Sequence, residues 1–293
     1  MGVMMVQNAV IGFPRWTDEA VFSDGGGAYA PSYPVSNLGR LPLSKVARSA
    51  SAAEADTRFM AVLSKPRPVR LIGLINHNGS LDGHFRLRLY GNATGTGTAL
   101  YDTGPLRFWP PVYPPGSLEW EDDQFWSGQY SSEEIASYRA TRPVLLDRLI
   151  LAQSIRLEVS DPTNPDGFFQ CGLFEIAHGW QVGVNFAIGA EHGFRARSQM
   201  LEALGGVKYF DRRDKPRLFN GSIDYLPRDE ALSRAFELHR QTDLDQPFLW
   251  LPDPESTEHL LRQCWLARNA QLGLMSYVAF DRDAVRLNFE EVL

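Results

Sequence analysis

Three stretches of this 293-residue chain alternate apolar and polar side chains with a period of two, a rhythm that few folds can satisfy. Phe85, Leu87 and Leu89 alternate with Arg86, Arg88 and Tyr90. Ile155, Leu157 and Val159 alternate with Arg156, Glu158 and Ser160, and Val285, Leu287 and Phe289 with Arg286, Asn288 and Glu290. Successive side chains of a strand point to opposite faces, so each stretch predicts a half-buried strand. Repeated one-sided strands predict antiparallel sheets whose apolar faces meet. Leu71, Ile72, Leu74 and Ile75 form a short apolar run of the kind expected for a strand buried on both faces, ended at residues 76–79. No βαβ rhythm appears, which argues against a doubly wound nucleotide-binding fold.

One amphipathic helix is predicted from about Arg228 to Thr242. Ala231, Leu232, Ala235, Phe236 and His239 fall on one face, Glu230, Arg234, Glu237 and Arg240 on the other, and Pro227 stands where a helix start tolerates it. Phe248 to Leu251 reads as a strand closed by Pro252 and Pro254, with further strands expected near residues 260–266 and 274–280.

At roughly 150 residues per domain the length predicts about two domains, each large enough for its own core. Residues 1–64, rich in small and turn-forming side chains, read as an extended lead-in belonging to the first domain. Residues 65–182 read as a β-sandwich and residues 183–293 as a second, smaller domain, with the boundary near 179–184. Within the sandwich, residues 103–142 read as a long loop, because Pro105, Pro110, Pro111, Pro114 and Pro115 remove backbone donors. This loop is dense in aromatics and acids, and long loops in compact domains are commonly functional.

The 35 acidic against 29 basic residues give a formal charge of −6, which argues against a protein that grips nucleic acid through phosphates. Cys171 and Cys264 lie far apart without CxxC spacing and are expected in the core. The first twelve residues lack a basic n-region and a sustained apolar h-region, and no window approaches a membrane span, so a soluble chain made in the cytoplasm is expected. The sequons at Asn78, Asn92 and Asn220 are read as turn residues.

Catalytic signatures are wanting: GxSxG, HExxH, Walker A and dinucleotide fingerprints do not occur. The glycine-rich run Gly91 to Gly97 reads as a hairpin connection with no helix start to hold an anion. His77 and His84, with Asp82 between them, read as turn chemistry more readily than as a metal site. Glu119, Glu121, Asp122 and Asp123 would be a carboxylate set for glycoside hydrolysis only if two faced each other across a bond, and neighbouring loop acids are ordinarily just solvated. No enzyme and no cofactor or metal are therefore expected. The loop offers a contact surface instead: Trp109, Tyr113, Trp120 and Trp126, with Asp122 and Asp123, suit a protein interface, a glycan whose ring faces stack on indoles, or simple packing within the domain.

Phe219 to Leu226, the helix after it, Phe248 to Pro254 and Val285 to Val292 resemble the tail-tube-like domain of long-tailed bacteriophage distal tail and baseplate hub proteins. Ser154 to Val159 followed by Phe168 to Ile176 resembles the last strands of a galactose-binding-like, or discoidin-like, jelly roll, and Arg67 to Asn78 is similar to a stretch met in phage tail proteins. The resemblance implies a mainly β chain: an antiparallel jelly-roll sandwich followed by a smaller tail-tube-like β-sandwich or barrel with one helix. It implies a structural part of the virion, a ring of six or alternatively three copies that links the tail tube to the receptor-binding apparatus. Its partners would be its own copies, tail tube proteins and baseplate hub proteins. Acidic Asp281, Asp283, Glu290 and Glu291 would line such a ring with negative charge. The alternative is a carbohydrate-binding adhesin contacting host glycans.

Overall fold

The computed structural model describes residues 8–114, 116–122, 124–256 and 258–293. The chain is mainly β and its sheets are antiparallel throughout the described pairings. It divides into two compact units: residues 1–180 with Leu249–Trp265, and Gln181–Phe248 with Leu266–Leu293. The segment Leu249–Trp265, expected in the second domain, belongs to the first, where Trp250 and Leu251 pair with Ile11 and Val10 and Leu261 is buried in the core.

The first unit is a jelly-roll-like sandwich. Its main sheet contains β1 (Val21–Ser23), β2 (Phe59–Ile75), β3 (His84–Tyr90), β4 (Tyr101–Arg107) and β5 (Thr141–Ser160), in the order β1-β2-β5-β3-β4, and β6 (Leu173–Ala177) pairs with the end of β2. The 17-residue β2 and 20-residue β5 run antiparallel, with register shifts between Val62 and Arg67 and between Val69 and Leu71, where extra residues bend the strands. The expected alternation holds: Phe85, Leu87, Leu89, Ile155, Leu157 and Val159 are buried, and Leu71 to Ile75 is buried on both faces. The lead-in wraps this core in 3-10 turns and two-residue strands, contributing Leu38 and Ala47 to it.

The strand after the Gly91 to Gly97 turn runs to Arg107, so the irregular segment begins at 108 and not at 103. β4 takes Pro105 because it lies at the sheet edge. Of the sequons, Asn92 stands in its turn, bonding the Thr96 carbonyl. Asn220 lies inside a strand, which corrects the expectation of a turn. Both cysteines are buried and free, and burial pushes the Cys171 thiol up to about 12.

In the second unit β7 (Glu191–Phe194), β10 (Arg217–Pro227), β11 (Trp265–Asn269), β12 (Met275–Ala279) and β13 (Arg282–Glu291) form one antiparallel group, with β10, β11 and β12 all pairing with β13. Phe289 packs inside it against Phe219, tilted at 6.0 Å, and against Phe248, edge-on at 4.9 Å between centroids. A separate hairpin joins β8 (Gln199–Glu202) to β9 (Lys208–Asp211). Residues 260–266, expected as a strand, form a short helix at Leu260–Gln263 before β11 begins.

The helix of residues 228–242 is present, but its middle, Ala231–Phe236, is a π turn. The wider turn shifts the apolar face: Ala231, Ala235, Leu238 and His239 are buried, while Leu232 and Phe236, expected inside, are exposed. Three of the four carboxyl-terminal acids are also not free to line a lumen, whereas Asp281 is exposed. Glu291 is buried against Arg217, Glu290 against Arg195, and Asp283 against Arg228. Among the described residues no helix is long and apolar enough to cross a membrane.

Phe174 is fully buried, edge-on to Phe59 at 5.1 Å and to Phe22 at 6.3 Å. Phe174→Ala should cost about 3–5 kcal/mol in urea unfolding, whereas exposed Val21→Ala should stay within about 0.5 kcal/mol.

Candidate functional site

The irregular segment of residues 108–140 is built as a buried base and an exposed tip. At the base the Gly128 carbonyl accepts from the amides of Val112 and Tyr113, at 2.7 Å and 2.9 Å, drawing the two limbs together. Trp109 is 4% exposed; its indole N–H donates to the Gly79 carbonyl at 2.8 Å and its ring stands edge-on to Tyr130. Gly79 has to be glycine, since a Cβ there would meet the Phe108 ring at 2.4 Å. Gln129 is buried and donates to the carbonyls of Leu81 and Trp109.

The exit limb is fixed by helix α1 (Ser132–Ala136). Ser131 caps it by accepting the Glu134 amide, and Glu134 reaches back to the Ser131 amide. The Glu134 carboxylate also accepts from Tyr113 and from Arg262, both at 2.8 Å. Burial pushes this carboxyl up, but the Ser131 amide, the Tyr113 hydroxyl and the Arg262 guanidinium outweigh it and hold it below the ordinary value. The S-x-x-E pattern at Ser131 to Glu134 is the sequence signal for this cap, and reading the segment as pure loop passed over it.

The six expected contact residues therefore separate. Trp109 is an anchor inside the core, so it offers no stacking face and serves packing within the domain, while Tyr113 is half-buried with its hydroxyl bonded to Glu134. Trp120 and Trp126 are 76% and 91% exposed, and Phe125 stands edge-on to Trp126 at 5.0 Å. Asp122 closes a turn by accepting the Glu119 amide at 2.9 Å. Asp123 lies outside the described residues. Chemically the tip is two bare indoles among acids.

His77 is buried between Phe108 and Trp109, with ring centroids at 5.0 Å and 5.2 Å, and burial lowers its value to about 3, so it is neutral. Its Nδ1 accepts the Gly79 amide. Among the described residues no group of three or more His, Cys, Asp or Glu side chains is placed to hold a metal ion.

A second surface, absent from the sequence reading, is the β8–β9 hairpin. Both of its strands are exposed along their whole length, with Met200, Leu201, Leu204, Val207, Tyr209 and Phe210 in solvent. Leu274, Tyr277 and Phe280, in and around β12, are exposed as well. The Gly205-Gly206 turn between two short runs was the available hairpin signal.

No family model matches the chain, and no curated protein matches it. Solved structures do. The family 32 carbohydrate-binding module of Clostridium perfringens NanJ, in complex with galactose, is 13% identical with a TM-score of 0.36, covering 58% of this chain and 98% of that one. The family 32 module of Streptococcus pneumoniae EndoD is 15% identical with a TM-score of 0.34, covering 55% and 97%. Chitosan-binding module 1 from a chitosanase/glucanase of Paenibacillus sp. IK-5 is 10% identical with a TM-score of 0.33, covering 55% and 94%.

Ser131→Ala should cost about 1 kcal/mol and raise the rate of proteolysis within residues 112–128. Because the folded value of Glu134 is depressed, its contribution is whole above the unfolded carboxylate range and lost as pH falls through the folded value. Acidification below the ordinary carboxylate range should therefore accelerate the same cleavage, and Glu134→Gln should flatten that response.

Proposed function

We propose that the chain is a non-catalytic structural protein that assembles with its own copies through the second unit. The setting is the one its carboxyl-terminal segments imply by resemblance, a ring at the tip of a bacteriophage tail. The β8–β9 hairpin carries this reading. A two-stranded ribbon is marginal by itself in water, and here it leaves six large apolar side chains uncovered. Its backbone edges are ready to pair with another strand. The exposed side chains around β12 add a second, different apolar surface to the same unit. Two unlike surfaces on one subunit are what a head-to-tail contact that closes into a ring requires.

A second reading, a carbohydrate-binding protein contacting host glycans, is favoured by a separate observation: Trp120 and Trp126 stand bare at the tip of a rigidly based loop. Sugar ring faces stack on such indoles, and the loop acids would accept hydroxyl protons.

Sedimentation velocity across a concentration series should show self-association, and Leu201→Asp with Phe210→Asp should return the protein to a monomer with an unchanged circular dichroism spectrum. A wild-type chain that stays monomeric at every concentration overturns the assembly reading. Glycan-array binding that drops at least tenfold in Trp120→Ala or Trp126→Ala, with assembly intact, would establish the second.

A further inference from the structure

Two segments of the chain carry opposite local charge beside uncovered aromatic rings. Residues 108–138 hold six acidic side chains and no Lys, Arg or His. Glu119, Glu121 and Asp122 are exposed there, next to the bare indoles of Trp120 and Trp126. Among the described acids of this stretch, Glu134 alone meets a cation, Arg262, so the charge at the tip stands uncompensated.

The β8–β9 hairpin and its two flanks show the reverse. Residues 195–215 hold six basic against three acidic side chains and are exposed throughout. Arg195 pairs with Glu290 and Arg213 with Asp211, which leaves Arg197, Lys208, Arg212 and Lys215 without an ion pair among the described residues. Met200 stands opposite Phe210 and Leu201 opposite Tyr209, and adjacent strand positions face opposite ways, so each side of the ribbon carries one apolar pair in solvent.

These features select a partner. With a formal charge of −6, two copies repel over most of their surfaces, and attraction between them has to come from local patches of opposite sign. Around β12 the exposed Asp281 and Arg282 cancel. The acids of the loop tip do not. Its indoles offer faces on which a guanidinium stacks, while the carboxylates beside them accept the guanidinium N–H groups. Trp, Tyr and Arg are also the side chains that most often anchor protein interfaces.

We propose that the β8–β9 hairpin of one copy docks on the loop tip of the next, its Arg197 and Arg212 meeting Glu119, Glu121 and Asp122 while its apolar pairs cover Trp120 and Trp126. The proposal rests on the assembly reading and names the surface that the hairpin meets. Because the two surfaces differ, each copy gives one and receives one, which makes the contact head-to-tail.

Exchanging the charges tests it in the full chain by sedimentation velocity. Glu119→Lys with Glu121→Lys, or Arg197→Glu with Arg212→Glu, should each weaken self-association about tenfold with an unchanged circular dichroism spectrum. A chain carrying all four substitutions exchanges the two signs and should return to within about threefold of wild type. Sodium chloride at about 1 M, where charges are screened beyond about 3 Å, should weaken the wild-type contact as well. Wild-type association that neither pair disturbs overturns the docking and leaves assembly through another surface. So does a four-substitution chain that fails to recover, and so does a loop pair that loses glycan binding while its association is unchanged. A wild type that is monomeric at every concentration removes the assembly reading and the docking with it. Should either pair fail to fold, carbodiimide cross-linking of mixed isotope-labelled and unlabelled wild type decides: a peptide joining Glu119 or Glu121 of one copy to Lys208 or Lys215 of another is expected, and its absence from an associated sample overturns the docking.

Discussion

The pairing of β2 with β5 is the constraint from which the first unit follows. Two strands of 17 and 20 residues pair from Phe59 opposite Leu157 to Ile75 opposite Thr141, in three stretches separated by two register shifts. A slip of one residue would turn Phe59, Ala61, Ile155 and Leu157 toward solvent together, so the register is held by the whole buried face at once. The same pairing brings residue 76, at the end of β2, beside the start of β5. The Asn76 amide donates to the Ala140 carbonyl there, and His77, Phe108 and Trp109 gather around that corner.

That corner explains why an aromatic and proline-rich segment divides into two kinds of residue. Trp109, Gln129 and Tyr130 spend their polar atoms on backbone carbonyls of the core, which makes the base part of the sandwich. Trp120 and Trp126, only a few residues away, have no such partners and lie in water. The prolines between them lower the entropy the unbound loop has to lose, so its tip is presented at small ordering cost to whatever it meets.

Much of this was legible in the sequence. The period-two stretches became strands with the expected face inside, because alternation depends only on backbone geometry. The helix was legible in place but not in phase: Leu232 and Phe236 came out exposed because a π turn alters the angular spacing, which composition does not announce. The fate of the six loop residues was illegible for a different reason. Trp109 and Trp126 are the same residue type in similar company, and only the long-range contact with Gly79 makes one an anchor. Three C-terminal acids, Glu291, Glu290 and Asp283, likewise read as exposed charge, although Arg217, Arg195 and Arg228 lie beside them.

The assignment of Leu249–Trp265 to the first unit has a topological consequence. The backbone passes from one unit to the other three times, so no single cut separates them. Shortening the chain at residue 182 would strip Trp250, Leu251 and Leu261 from the first core along with the whole second unit. Evolution or engineering that exchanges either half must carry the insertion with it, and a free-standing first unit calls for rejoining residues 180 and 249 directly.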